Sequence, residues 1–120
     1  MINVSIDNIS CIVTATYGGT ISIKEIEEFY CDLLQRTELP VNLRIMQDER
    51  VCVFKDTKNT IKSILQILPK LVERFITVRI AILQTKPLQT AYSKLFIGEI
   101  KTKNVAVSVF YTKEAALGWL

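Results

Sequence analysis

Few residues here are of a type that does chemistry, and their spacing limits what they can do. Asp48 and Glu49 are adjacent carboxylates directly after a segment that reads as a parallel strand, where α/β proteins commonly build sites. Paired carboxyl groups can do acid–base work. Sequence neighbours rarely converge on one substrate, so the expectation is a solvated turn. Asp56-Thr57 is the second candidate. A phosphate on Thr57 would sit at a helix N-terminus, whose free backbone N–H groups favour negative charge. The simpler reading is a capping pair that starts a helix near Asn59. Cys11, Cys31 and Cys52 form no C-x-x-C pair, so they read as reduced thiols rather than a disulfide framework or a metal knuckle. There are no histidines, which removes His general-base catalysis, phosphohistidine relays and nearly all zinc sites. No G-x-G-x-x-G, P-loop lysine motif or G-x-S-x-G occurs. The residues therefore predict no catalytic group, no metal and no cofactor.

The 120 residues are 49% hydrophobic and 22% charged, enough apolar surface for one domain spanning 1–120 with a core of its own. No apolar run approaches the ~20 residues that cross a bilayer. The start, Met1-Ile2-Asn3-Val4-Ser5, lacks the basic and long apolar stretches of a signal peptide, so a cytoplasmic protein is expected. The net charge of +3 is unevenly spread: residues 1–50 hold four basic and eight acidic side chains, residues 51–120 eleven basic and four acidic. Such a dipolar chain can support itself, self-associate or meet an anionic partner. A basic stripe with exposed aromatics is not visible, so nucleic acid is not an expected partner.

The elements that must position these residues follow from periodicity. Ile2, Val4 and Ile6 alternate with polar residues, and Cys11, Val13, Ala15 and Tyr17 alternate again, which predicts a hairpin ended by Gly18-Gly19. Ser22 with Glu25 reads as a capping box opening a helix, with Ile26, Phe29, Tyr30 and Leu33 inward. Pro40 ends that helix and Val41 to Met46 reads as a strand. Gln47 to Thr57 is the least readable stretch, with Val51 to Phe54 either a short strand or a packed loop. Ile61 to Phe75 is a helical stripe in which Pro69 predicts a kink or a break. Val78 to Leu83 is a strand. The next helix starts at Pro87, with Leu88, Ala91, Tyr92, Leu95, Glu99 and Ile100 on one side and Phe96 flanking. Val105 to Phe110 is the last strand, and Thr112 caps a short final helix ending Trp119-Leu120. The order β-β-α-β-α-β-α-β-α predicts an α/β fold with a five-stranded mixed sheet, its first strand alone antiparallel.

Sorting strand residues by parity separates an apolar face from one carrying Asn3, Ser5, Thr14, Thr16, Arg44, Met46, Arg79, Ala81 and Ser108. A parallel sheet covered on both faces would be apolar throughout. The helices are therefore expected mainly on one face. The other, open face brings Arg44 and Arg79 together, a site for acidic groups of a partner or a second copy.

The C-terminal half carries a resemblance. Val78-Arg79-Ile80-Ala81-Ile82-Leu83, then Lys86-Pro87 and a helix with Tyr92 and Phe96, lead to Val107-Ser108-Val109-Phe110 and Glu114-Ala115-Ala116-Leu117-Gly118-Trp119-Leu120. This resembles the STAS/SpoIIAA-like proteins of bacteria, of the small stand-alone type. The opening hairpin, then Tyr17-Gly18-Gly19 leading into an acidic amphipathic helix, fits as well. The resemblance implies a (βα)-superhelix and, through its anti-sigma factor antagonist branch, regulation by protein contact. That branch switches on an Asp-Ser step; the nearest match, Asp56-Thr57, lacks both the serine and the following glycine. The expected function is thus a non-catalytic domain that binds a protein partner or itself as a homodimer. The alternative is a small apolar or lipid-like ligand held between helices and sheet, by similarity in fold to SEC14-type domains. An enzyme ranks third. The site is expected at the carboxyl ends of the parallel strands, from Asp48, Asp56, Thr57, Gln84, Thr85, Tyr111 and Thr112, where helix N-termini offer free donors.

Overall fold

A computed structural model describes residues 1–120. Its elements are β1 (Ile2–Ile6), β2 (Val13–Ile21), α1 (Ile23–Gln35), β3 (Asn42–Phe54), α2 (Thr57–Arg74), β4 (Thr77–Leu83), α3 (Pro87–Glu99), β5 (Val105–Phe110) and α4 (Lys113–Trp119). The five strands lie side by side in sequence order, and only β1 runs antiparallel to its neighbour. Each later strand is reached through a helix, the connection that parallel pairing requires. No helix is long and apolar enough to cross a membrane.

Local chemistry sets the boundaries. Ser22 caps α1: its Oγ accepts from Glu25 N at 3.2 Å, while Ser22 N donates to the Glu25 carboxylate at 2.9 Å. The expected capping box is present, and two free donors of the first turn are satisfied reciprocally. Asp56 caps α2 and Thr112 caps α4 in the same way, by accepting from Asn59 N and Ala115 N, both at 3.2 Å. Cys11 was expected to open the second strand and does not. Its φ of 60° is left-handed, and it belongs to a turn in which the Asp7 carboxylate accepts from Ser10 N at 2.6 Å. An Asx-type turn competed with the strand pattern and won.

Three further expectations are corrected. Gly18-Gly19 does not end β2; the strand runs on to Ile21, paired with Val51 to Phe54 of β3. Gly19, with φ +70°, lets the strand bend without stopping. Pro69 does not break α2, which is continuous over 18 residues. It sits on the exposed side, where the carbonyl left without a donor can turn to solvent. On α3 the buried residues are Thr90 and Phe96, whereas Leu88 and Leu95 are exposed. Apolar residues on both sides of that helix made its periodicity a poor guide.

The core is two-sided and unequal. On one face α1, α2 and α3 cover Val13, Ala15, Tyr17, Leu43, Ile45, Val78 and Ile80. On the other, α4 alone covers Met46, Ala81 and Leu83 with Ala116, beside Ile12, Phe110, Trp119 and Leu120. Helices mainly on one face, as expected from strand parity, is the arrangement found. Trp119 lies between Phe110, at 5.5 Å between ring centroids, and the Arg79 guanidinium, 4.6 Å from its ring centre.

Removing Trp119 and Leu120 therefore strips the cover from Leu83 and Phe110. Both side chains are only partly buried, so the expected loss is about 2 kcal/mol. Thermal denaturation of the truncated chain should show a Tm roughly 8 °C lower. An unchanged Tm would show that α4 does not dock in this way.

Candidate functional site

A single step in strand length opens an apolar cleft. β4 ends at Leu83, level with Asp48, while β3 continues to Phe54 paired only with β2. Beyond Asp48 the core face therefore lacks a neighbour on the β4 side. The first turns of α2 and α3 stand over this gap without closing it. Tyr17, Gln47, Glu49 and Ile82 form the floor, Thr57, Thr60, Ile61 and Ile64 one wall, and Gln89, Tyr92, Ser93 and Phe96 the other. The enclosed space is about 40 Å³, and the rest of the slot is open to solvent at its mouth.

Glu49 is the unusual member. The expected solvated turn at Asp48-Glu49 is overturned: both residues lie inside β3, and Glu49 is only 6% exposed. Continued alternation from Ile45 puts Gln47 and Glu49 on the apolar face. A register shift opposite Thr16 to Gly18 then lets Cys52, three residues on, face the same way. The Glu49 carboxyl makes no hydrogen bond or ion pair within the chain. Burial, with a smaller contribution from the Asp48 charge, pushes its pKa up to about 8, so it is mainly protonated at neutral pH.

Around it the polar groups are neutral. Gln47 Nε2 donates to Tyr30 Oη. Burial raises the Tyr17 and Tyr30 hydroxyls well above their ordinary range, and pushes the Cys52 thiol up to about 12. The Thr60 hydroxyl is buried at the cleft wall with no partner. Gln84 fixes the rim: its Nε2 donates to Glu49 O at 3.2 Å, and its Oε1 accepts from Thr85 N at 3.1 Å and Lys86 N at 3.2 Å.

The residues expected at the site are not gathered in one place. The strand ends split them between the two sides of the sheet. Thr57 lines the cleft and Gln84 supports it from a fully buried position. Asp56 is an exposed cap and Thr85 an exposed loop residue. Asp48 lies on the opposite face, held below the usual carboxylate range by Arg50, whose Nε and Nη2 donate to it at 2.9 and 2.8 Å. Tyr111 and Thr112 are exposed at the start of α4. Arg44 and Arg79 are register neighbours, as expected, but each has a partner within the chain. Arg44 donates to Ser10 O, and Arg79 stacks on Trp119. Glu49 was weighed only as half of a solvated Asp48-Glu49 pair, and Gln47, Tyr17 and Thr60 were not singled out; extending the strand alternation past Met46 would have placed Gln47 and Glu49 on the core face.

No protein-family model and no curated protein sequence matches the chain. A solved structure does. The chain superposes over its whole length on 92% of an uncharacterized protein of the DUF3478 family from Shewanella loihica PV-4, with TM-score 0.67 and 15% identity. That structure is described as having a SpoIIAA-like fold. This chain has the SpoIIAA-like fold. At that identity the likeness concerns architecture alone, and it agrees with the sheet order and helix placement above.

In this SpoIIAA-like sheet the Glu49 acid carries a stability signature. Its pKa is raised from an ordinary value near 4.5 to about 8 in the fold. Between those pH values the unfolded chain releases a proton that the fold retains, so stability falls as pH rises through the window. Glu49→Gln removes this loss. Relative to wild type, the variant should gain stability progressively from pH 4.5 to pH 8, by a few kcal/mol at the top. Urea denaturation across that range measures it; parallel curves for the two proteins would contradict the burial of an unpaired acid.

Proposed function

We propose that this SpoIIAA-like chain is a cytoplasmic, non-catalytic binding domain whose cleft takes a small, largely apolar organic molecule. The observation that carries the reading is the cleft itself: an apolar slot with a few inward polar groups, two of which, the Glu49 carboxyl and the Thr60 hydroxyl, lack partners in the chain. Such lining is the usual character of small-molecule sites. Binding rather than catalysis is supported by the chemistry of the groups present. The Cys52 thiol is held protonated, so it is a poor nucleophile. Glu49 has no base or nucleophile poised against it.

Neutral fragments such as benzyl alcohol should shift the amide resonances of Thr60, Ile61 and Ser93. Ser93→Trp, which fills the slot from α3, should weaken that binding by at least about tenfold. Fragment shifts confined to other surfaces, or an undiminished affinity in the variant, would count against the cleft.

Docking of a protein partner is a second reading, favoured by Val51 and Val53. They are 72% and 54% exposed on the stretch of β3 that extends beyond β4. Self-association through the face bearing Arg44 and Arg79 belongs with it. Charge reversal at both arginines should then convert dimer to monomer in sedimentation, whereas a wild type already monomeric at high concentration removes that version.

A further inference from the structure

We propose that the ligand of the cleft is an organic cation with a short apolar body, a primary alkylammonium being the simplest, with its head seated on the Glu49 carboxylate. This rests on the cleft being a ligand site, and it names the chemistry the site selects. Three observations lead there. Glu49 is nine-tenths buried and lines the cleft, and its carboxyl makes no hydrogen bond or ion pair within the chain. It is the one acidic residue in a lining that holds no lysine or arginine. The nearest basic group at the rim, Lys86 at the start of α3, is engaged with Cys52 O at 3.1 Å. An anion would meet a carboxyl group and no countercharge. An ammonium meets an acceptor that no other group uses, and charge-assisted bonds are the strong ones in a dry site.

The titratable groups around Glu49 reinforce this. β2 presents Tyr17, α1 presents Tyr30, β3 presents Asp48 and Cys52, and α3 presents Tyr92. α2 faces the cleft with Thr57, Thr60, Ile61 and Ile64 only. None of these groups is a cation. In the protein alone Glu49 has a pKa of about 8 and is protonated at neutral pH. Seating an ammonium requires the carboxylate, so one proton passes from Glu49 to solvent for each cation bound. No other bond is made or broken.

The test uses hexylammonium, hexanol and hexanoate as probes of one chain length, titrated into the full chain and followed by amide shifts. Hexylammonium should bind tightest. Its affinity should rise about tenfold per pH unit from pH 6 to 7 and level off above about pH 8. Calorimetry at pH 7 in buffers of different ionisation enthalpy should show nearly one proton released. In Glu49→Gln, hexylammonium binding should fall at least about tenfold and lose its pH dependence. The wild-type pH profile and proton count stand even if that variant folds poorly. Hexanol binding as tightly as hexylammonium, with no pH dependence, overturns the cation while leaving the cleft as a ligand site. Hexanoate binding tightest does the same. If none of the three shifts the cleft amides, both the cation and the ligand-site reading fall.

Discussion

Everything in this molecule hangs on the parallel pairing of β3 with strands of different length on either side. From Ile45 to Asp48 it is flanked by β2 and β4, and there Ile45 is fully buried beneath the helices. Its second half has β2 alone. On its other side no strand pairs with that half, so the Glu49 and Cys52 carbonyls accept from the Gln84 and Lys86 side chains, and its core-facing side chains depend on helix ends for cover. Helix ends are poorer covers than helix bodies, because their first turns carry polar groups and caps. The cleft, its half-apolar lining and the stranded carboxyl at its floor are all results of that one mismatch.

How much of this is legible in the sequence depends on which force decides each segment. Where burial of a single face decides, as in β1, β3 up to Met46, β4, β5 and α1, alternation or helical spacing places the elements correctly. The capping residues Ser22, Asp56 and Thr112 are legible because their role is local. Three segments mislead for separable reasons. At Cys11, the Asp7 side chain supplies a turn that the apolar pattern cannot announce. At Gly18-Gly19, a residue pair typical of turns is used for a bend within a strand. At Asp48-Glu49, two acids look solvated because acids usually are, yet the pleat sends Asp48 to Arg50 on one face and Glu49 into the core on the other. The candidate site was passed over at a buried acid that has no partner and is held protonated instead.

The opposite face shows the same sequence features used structurally. Arg44 and Arg79 lie side by side, yet one is held by a turn carbonyl and the other by an aromatic ring. Like charges at that spacing are tolerable because each guanidinium has its own partner and a path to solvent. α4 is too short to cover the sheet as the other helices do, so the arginine stems and Trp119 extend its cover. The C-terminal ending that gave the sequence its familiar look thus acts mainly as packing.

Strand order has a consequence for how the chain acquires its structure. Each strand pairs only with the strands immediately before and after it in sequence, so every pairing closes a loop of one helix or one turn. Loop-closure entropy grows with the length enclosed, and this order keeps that length short at every step. The sheet can therefore zip outward from any adjacent pair, with no strand waiting for a distant segment to arrive between its neighbours. Sheets whose first and last strands meet at the centre lack that freedom and fold more slowly.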